Sequence, residues 1–147
     1  MFNFFKSKDQ RVREHFAEFN SSFTTEQKAA VVGSLVVISK CDNHIADQEV
    51  KVIESVMQIL DIEPDNYQLN RLPELGFEYL FKVLNTLDRN QKEWYVITVH
   101  NMIAADGKIE DVEAHYALKF CEKMGISEEE YISIVKRTSA IFNHLMS

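Results

Sequence analysis

One offset constrains this chain more than any other feature. Shifted by 64 residues against itself without a gap, the sequence lays Asp42, Ile45, Asp47 and Glu49 onto Asp106, Ile109, Asp111 and Glu113. The match runs on in both directions. Upstream, Gln27, Lys28 and Val32 meet Gln91, Lys92 and Val96; downstream, Ile62 and Tyr67 meet Ile126 and Tyr131. Self-similarity over such a length marks a duplicated unit, so whatever one half folds into the other should repeat.

The unit reads as helix, tight turn, helix, most clearly in Met102-Ile-Ala-Ala-Asp106-Gly107-Lys-Ile109-Glu110-Asp111-Val-Glu113. Small and apolar residues carry a helix up to Asp106, and Gly107 supplies the left-handed conformation that closes it. Glu110 to Glu113 then open the next helix with negative charge. Asp106 stands apart, because a carboxylate at a helix C-terminus faces the negative end of the macrodipole. That placement costs roughly 0.3 to 1 kcal/mol unless a backbone amide or a cation compensates.

Taken in order, residues 1–23 form an N-terminal segment with a short helical stripe at Val12, Phe16 and Phe19, and residues 24–147 form one helical domain. Its repeats span about 24–67 and 88–131. Thr24 or Thr25 is placed to cap a helix whose run Ala29 to Ile38 is apolar on nearly all sides, which makes it central. Gly33 in its middle predicts a close helix crossing. The repeat partner from Trp94 to Ala105 is the second central helix, capped by Asp88 or Asn90. Val52, Ile53, Val56, Met57 and Leu60 predict a one-sided helix that ends before Pro64. The segment Asp61 to Gly76, with both prolines, is expected to join the halves, followed by a helix from about Glu74 to Leu87. Gly125 terminates a helix ending near Met124. Ser127 to Glu130 form a capping box that opens a last helix through Ile132, Val135, Ile141 and Leu145. The sum is an all-α bundle of about seven helices with no credible strand.

Composition then removes several functions. A chain of 147 residues, 46% apolar, suits one domain that needs no disulfide or metal to fold. Its formal charge of -7 repels a phosphate backbone, and no basic stripe reverses this, so no nucleic-acid partner is expected. The first 13 residues carry a local charge of +3 beside Phe2, Phe4 and Phe5, which is better read as an end folding back on the bundle than as a membrane contact. The Ala29 to Ile38 run is well short of the ~20 residues a bilayer needs. With no signal-peptide core at the N-terminus and two isolated cysteines, Cys41 and Cys121, a soluble cytoplasmic protein with reduced core thiols is the expectation.

Two carboxylates seven residues apart, with Gly and Ile between them, also form the second half of an EF-hand loop. In that loop two further oxygen ligands precede the Asp by two and four residues. Here those places hold Ala104 and Met102 in one repeat and Lys40 and Ile38 in the other, which excludes a conventional EF-hand. What remains is half a site per turn for a hard cation of the calcium or magnesium class. Its possible ligands are Asp106, Glu110 and Glu113 in the second turn and Asp42 and Glu49 in the first. A fold that brought the turns together would place four carboxylates in one locality, which only a divalent cation would hold there. The same residues also work without metal, with Glu113 reaching back to the amides that open its helix and Asp106 accepting from its own loop in an Asx-turn.

Catalysis has no positive support. No His is preceded by Glu at three residues, and H-E-x-x-H, G-x-S-x-G and phosphate-binding Gly loops are absent. Cys41-x-x-His44 is half a zinc site without a second half, and His100 on an apolar helix reads as a hydrogen-bonded core residue. A non-enzymatic protein is expected.

The pattern of small and apolar residues, Asp-Gly, a spacer, Ile, and Glu at the start of the next helix resembles the TerB-like family. In the second repeat Ala104-Ala-Asp106-Gly107-Lys-Ile109, Glu113, and Leu118 through Met124-Gly125-Ile126-Ser127 carry the likeness. The first repeat departs from it with Asn43 for the Gly and Cys41 for the Ala. The resemblance implies a compact bundle of about seven helices, an acidic cluster for divalent metal, and tellurite-resistance or stress roles beside protein partners, often at the inner membrane face. A DjlA-like co-chaperone of that family would carry a J domain with His-Pro-Asp, and no such tripeptide occurs, so the stand-alone module is expected. The alternative from another class is a helical interaction scaffold with no metal, in which the acidic residues serve only as caps.

Overall fold

The computed structural model describes residues 16–41 and 46–146, with side chains up to Ser139. Asp42, His44 and Ile45 of the first turn lie outside the described residues, as do Phe2, Phe4, Phe5, Val12 and the side chains of Ile141 and Leu145. Seven helices are found among the described residues, with no strand: α1 Ala17–Ser21, α2 Thr25–Lys40, α3 Asp47–Leu60, α4 Tyr67–Leu84, α5 Arg89–Ile103, α6 Asp111–Lys123 and α7 Glu128–Met146. The expected all-helical bundle is the observed architecture.

The two helices with apolar residues all round are the central ones. Helix α2 packs against α3, α4, α5 and α6, and α5 packs against α2, α3, α6 and α7. Ala29 to Leu35 and Ile38 of α2 are buried, as are Tyr95, Val96, Val99, Met102 and Ile103 of α5. Both helices start in the same way. The Thr24 hydroxyl accepts from the Gln27 amide at 3.1 Å while Gln27 Oε1 accepts from the Thr24 amide at 2.9 Å. Asp88 and Gln91, 64 residues on, form the same box at 2.8 and 2.9 Å. Each such cap is worth about 1 kcal/mol.

Helices α3 and α6 also end alike. The Ile62 amide donates to the Met57 carbonyl at 3.0 Å and the Ile126 amide to the Cys121 carbonyl at 2.9 Å. Both Ile62 and Ile126 are buried. The left-handed residue that turns the chain is Gly125 at φ 82 in one case and Asp61 at φ 55 in the other, an unusual conformation for a side chain other than glycine.

Two expectations need correction. The segment from Asp61 to Gly76 is not only a joint, because helix begins at Tyr67, where Asn66 Oδ1 accepts from the Leu69 amide at 3.0 Å. Pro73 sits inside this helix, and the backbone breaks at Gly76 (φ 82, ψ 173) before continuing to Leu84. In α7 it is Tyr131 and Ile134 that face the core, while Ile132 is exposed. Ile132 and Ile134 are two positions apart, about 200° on a helix, so only one of them can face inward.

Candidate functional site

The second acidic turn follows directly from its residues. Helix α5 ends at Ile103, Gly107 takes φ 84, and Asp106 Oδ1 accepts from the Lys108 amide at 3.1 Å, which closes an Asx-turn. The loop's own amide therefore compensates the carboxylate that faces the helix C-terminus. Glu110 is the N-cap of α6 by position and pairs with Lys108 Nζ at 3.5 Å. Both members of that pair are solvent-exposed, so it contributes little. Asp106 and Glu110 are surface groups.

Glu49 and Glu113 are different. Each occupies the third position of its helix, α3 or α6, and each is buried, at 4% and 3% exposure. Glu49 Oε1 accepts from the Ala46 amide at 3.3 Å, and Oε2 is buried with no hydrogen-bond partner. Because Ala46 has no side-chain acceptor, only one half of a capping box exists there. Withdrawing an ionised carboxylate from water costs several kcal/mol unless charge or hydrogen bonds compensate.

Comparison within the molecule shows that capping alone does not require this. The third positions of α2 and α5 are also buried, and they hold Gln27 and Gln91. Each closes a complete capping box and uses its remaining amide: Gln27 Nε2 donates to Thr86 Oγ1 at 3.0 Å, and Gln91 Nε2 to Ser22 Oγ at 3.1 Å. Four helices thus bury the same station. The two that open on the central core carry a neutral amide, and the two that follow the acidic turns carry a carboxylate.

Of the five residues singled out as ligands, the structure places Glu49 and Glu113 at equivalent buried stations and Asp106 and Glu110 at the surface of the second turn. Asp42 lies outside the described residues. Among the described residues no group of three or more His, Cys, Asp or Glu side chains is placed to hold a metal ion. The burial of the two glutamates was missed by motif reading. No linear motif signals it, because the burial of a third-position side chain depends on what packs over it.

Other titratable groups are structural. His100 Nδ1 lies 3.1 Å from the Tyr131 hydroxyl, and partial burial holds the imidazole below its ordinary value. Burial raises the Tyr131 phenol and pushes the Cys121 thiol up to about 12, which leaves no thiolate to ligate or attack. Among the described residues no helix is long and apolar enough to cross a membrane.

Residues 2–72, just under half the chain, match the family model described as tellurite resistance protein TerB. The match covers the first turn and ends before the second, although the motif itself reads more fully in the second. No curated protein and no solved structure matches the chain.

Proposed function

Because this is a TerB-like chain, we propose that it is a non-enzymatic stress-response module of the tellurite-resistance type that takes a divalent cation of the calcium or magnesium class at its acidic turns. The burial of Glu49 and Glu113 carries this reading. At the equivalent buried stations of α2 and α5 the protein caps with a neutral glutamine. A buried carboxylate with an unbonded oxygen, Glu49 Oε2, is instead a group that a cation would satisfy. Glu49 and Glu113 would hold the ion. Asp42, Asp106 and Glu110 would add oxygen atoms from the turns, and Asp106 would have to release the Lys108 amide or share its carboxylate. The bound ion would supply charge compensation and tie each turn to the helix that follows, stiffening a surface used by protein partners at the inner membrane face.

A second reading is favoured by the Asx-turn at Asp106 and by the Glu49 bond to Ala46, both of which form without metal. In it the turns are only caps, and the domain is a helical interaction scaffold.

Thermal melts of chelator-treated protein with calcium, magnesium, manganese or zinc separate the two. Trp94 on α5, whose ring centroid lies 5.1 Å from that of Phe19 on α1 and 5.7 Å from that of Phe23, reports the transition. An ion at a hundredfold excess over its dissociation constant adds about 2.7 kcal/mol to the native state. The midpoint should then rise by roughly 5 to 10 °C. Midpoints that no cation moves would leave the scaffold reading.

A further inference from the structure

The pairing of α2 with α4 leaves an apolar groove of about 490 Å³, within the ~300–1,000 Å³ range of small-ligand sites. Val36, Val37, Leu69, Leu72 and Pro73 line it, and Phe77 stands at its mouth, 55% exposed. One charged side chain, Lys40, reaches it, and Lys40 forms no ion pair with a described residue. Gly33 lies seven residues back along α2, about 10 Å from Lys40.

The other half of the molecule supplies an internal control. Gly33, Val36 and Val37 correspond, at the 64-residue offset, to Ile97, His100 and Asn101, which line a space of only about 40 Å³ between α5 and α7. Three differences make the groove. Gly33 has no side chain where Ile97 carries one, and Leu72 packs into the place its β-carbon would take. The backbone of α4 breaks at Gly76, where α7 runs on through Ala140 as continuous helix. Lys40 puts a cation at the position of Ala104. A lysine in the last turn of a helix is favoured by the macrodipole wherever it occurs. An open apolar groove in which that lysine is the only charged lining residue among the described residues is not a general property of the repeated helix pair.

We propose that this groove binds a linear fatty carboxylate, with its anionic head at Lys40 and its chain lying along α2 toward Gly33. A ligand with one charged end and no other polar group matches a groove with one cation and an otherwise almost wholly apolar lining. Each methylene that enters leaves water for an apolar wall. Phe77, 55% exposed among the lining residues, offers the chain a further apolar contact. A partner helix would meet the same walls, but it would bring polar groups along its length for which the groove has only Asn70.

The test is a titration of the full chain with decanoate, and in parallel with uncharged decanol, followed by methyl NMR. Saturable shifts confined to Val36, Val37, Leu69, Leu72 and Leu80 are expected with both probes. Lys40→Ala, an exposed substitution by the residue at the corresponding place of the other half, should weaken decanoate by about tenfold, as befits a lost charge-assisted hydrogen bond, and leave decanol unchanged. Gly33→Ala forces Leu72 into the groove and should weaken both, with helical circular dichroism intact in each variant. Absent saturation, shifts elsewhere in the bundle, or undiminished decanoate binding by Lys40→Ala would overturn the proposal. Groove methyls that ignore decanoate and move with an added amphipathic peptide would assign the groove to a protein partner and overturn it as well.

Discussion

The Tyr95 hydroxyl donates to Ser34 Oγ at 2.7 Å, joining the two central helices by one hydrogen bond inside a core where both residues are fully buried. Ser34 in turn donates to the Val31 carbonyl at 2.8 Å. The two partners are therefore unequal. Ser34→Ala strands a buried phenol hydroxyl, which costs about 1–3 kcal/mol, whereas Tyr95→Phe leaves Ser34 still bonded and costs about 1 kcal/mol. Urea unfolding should rank Ser34→Ala as the more destabilising, and the double variant should lie close to Tyr95→Phe. Equal losses would mean that the bond is not formed.

His100 sets a pH dependence with a definite sign. Burial holds the folded imidazole below 6.5, so as pH falls the unfolded chain takes up the proton first. Stability from this group is complete above about 6.5 and declines below it until the folded value is passed. His100→Gln should therefore show a smaller fall in melting midpoint between neutral pH and the onset of carboxylate titration. Parallel pH profiles for the two proteins would remove His100 as the cause.

Cys121 is fully buried and its thiol is raised to about 12, while Cys41 is partly exposed at the end of α2. A disulfide reagent at mildly alkaline pH should spare Cys121 in the native protein and reach it only with global unfolding. Fast modification of Cys121 under native conditions would show that the core opens locally.

At Gly33 two effects oppose. A methyl group on α2 gains about 0.5–1 kcal/mol of helix stability, but it collides with the Leu72 side chain. Leu72 borders the groove and has space to turn into, so Gly33→Ala should change unfolding stability by less than about 1 kcal/mol. Gly33→Ile, the residue of the other half, is larger and should cost about 1–3 kcal/mol, recovered in part by Leu72→Ala. A large loss with alanine alone would mean that Leu72 is locked in place.

Much of this bundle was legible because its signals are local. Thr24 and Asp88 announce their helices by side-chain chemistry, and the all-round apolar character of Ala29 to Ile38 requires a central position. The first half of α4 was not legible. Pro73 and Gly76 read as a joint, and only packing of Leu69 and Leu72 against α2 offsets their helix-breaking cost. The stripe through Ile132 in the last helix was displaced by one side, to Tyr131 and Ile134, because the inward face depends on how α7 packs on α5. The groove is lined by both Gly33 and Gly76, on two different helices, a coincidence no linear pattern encodes. Within the acidic turns, Asp106 behaves as its chemistry implied, taking a loop amide. Burial of Glu49 and Glu113 comes from tertiary packing and had to be observed.

That burial is the centre of the account, and glutamine is its natural probe because the protein itself uses glutamine at the corresponding stations of α2 and α5. The decisive measurement is the melting midpoint of Glu49→Gln, Glu113→Gln and the double variant, each chelator-treated and then supplied with the cation that raises the parent protein. The account predicts variants at least as stable as the parent without metal, since a buried charge has been removed, and no rise when the cation is added. Variants that still gain the full parental increment would show that the ion binds elsewhere, and variants destabilised without metal in a parent that ignores every cation would make both glutamates caps alone.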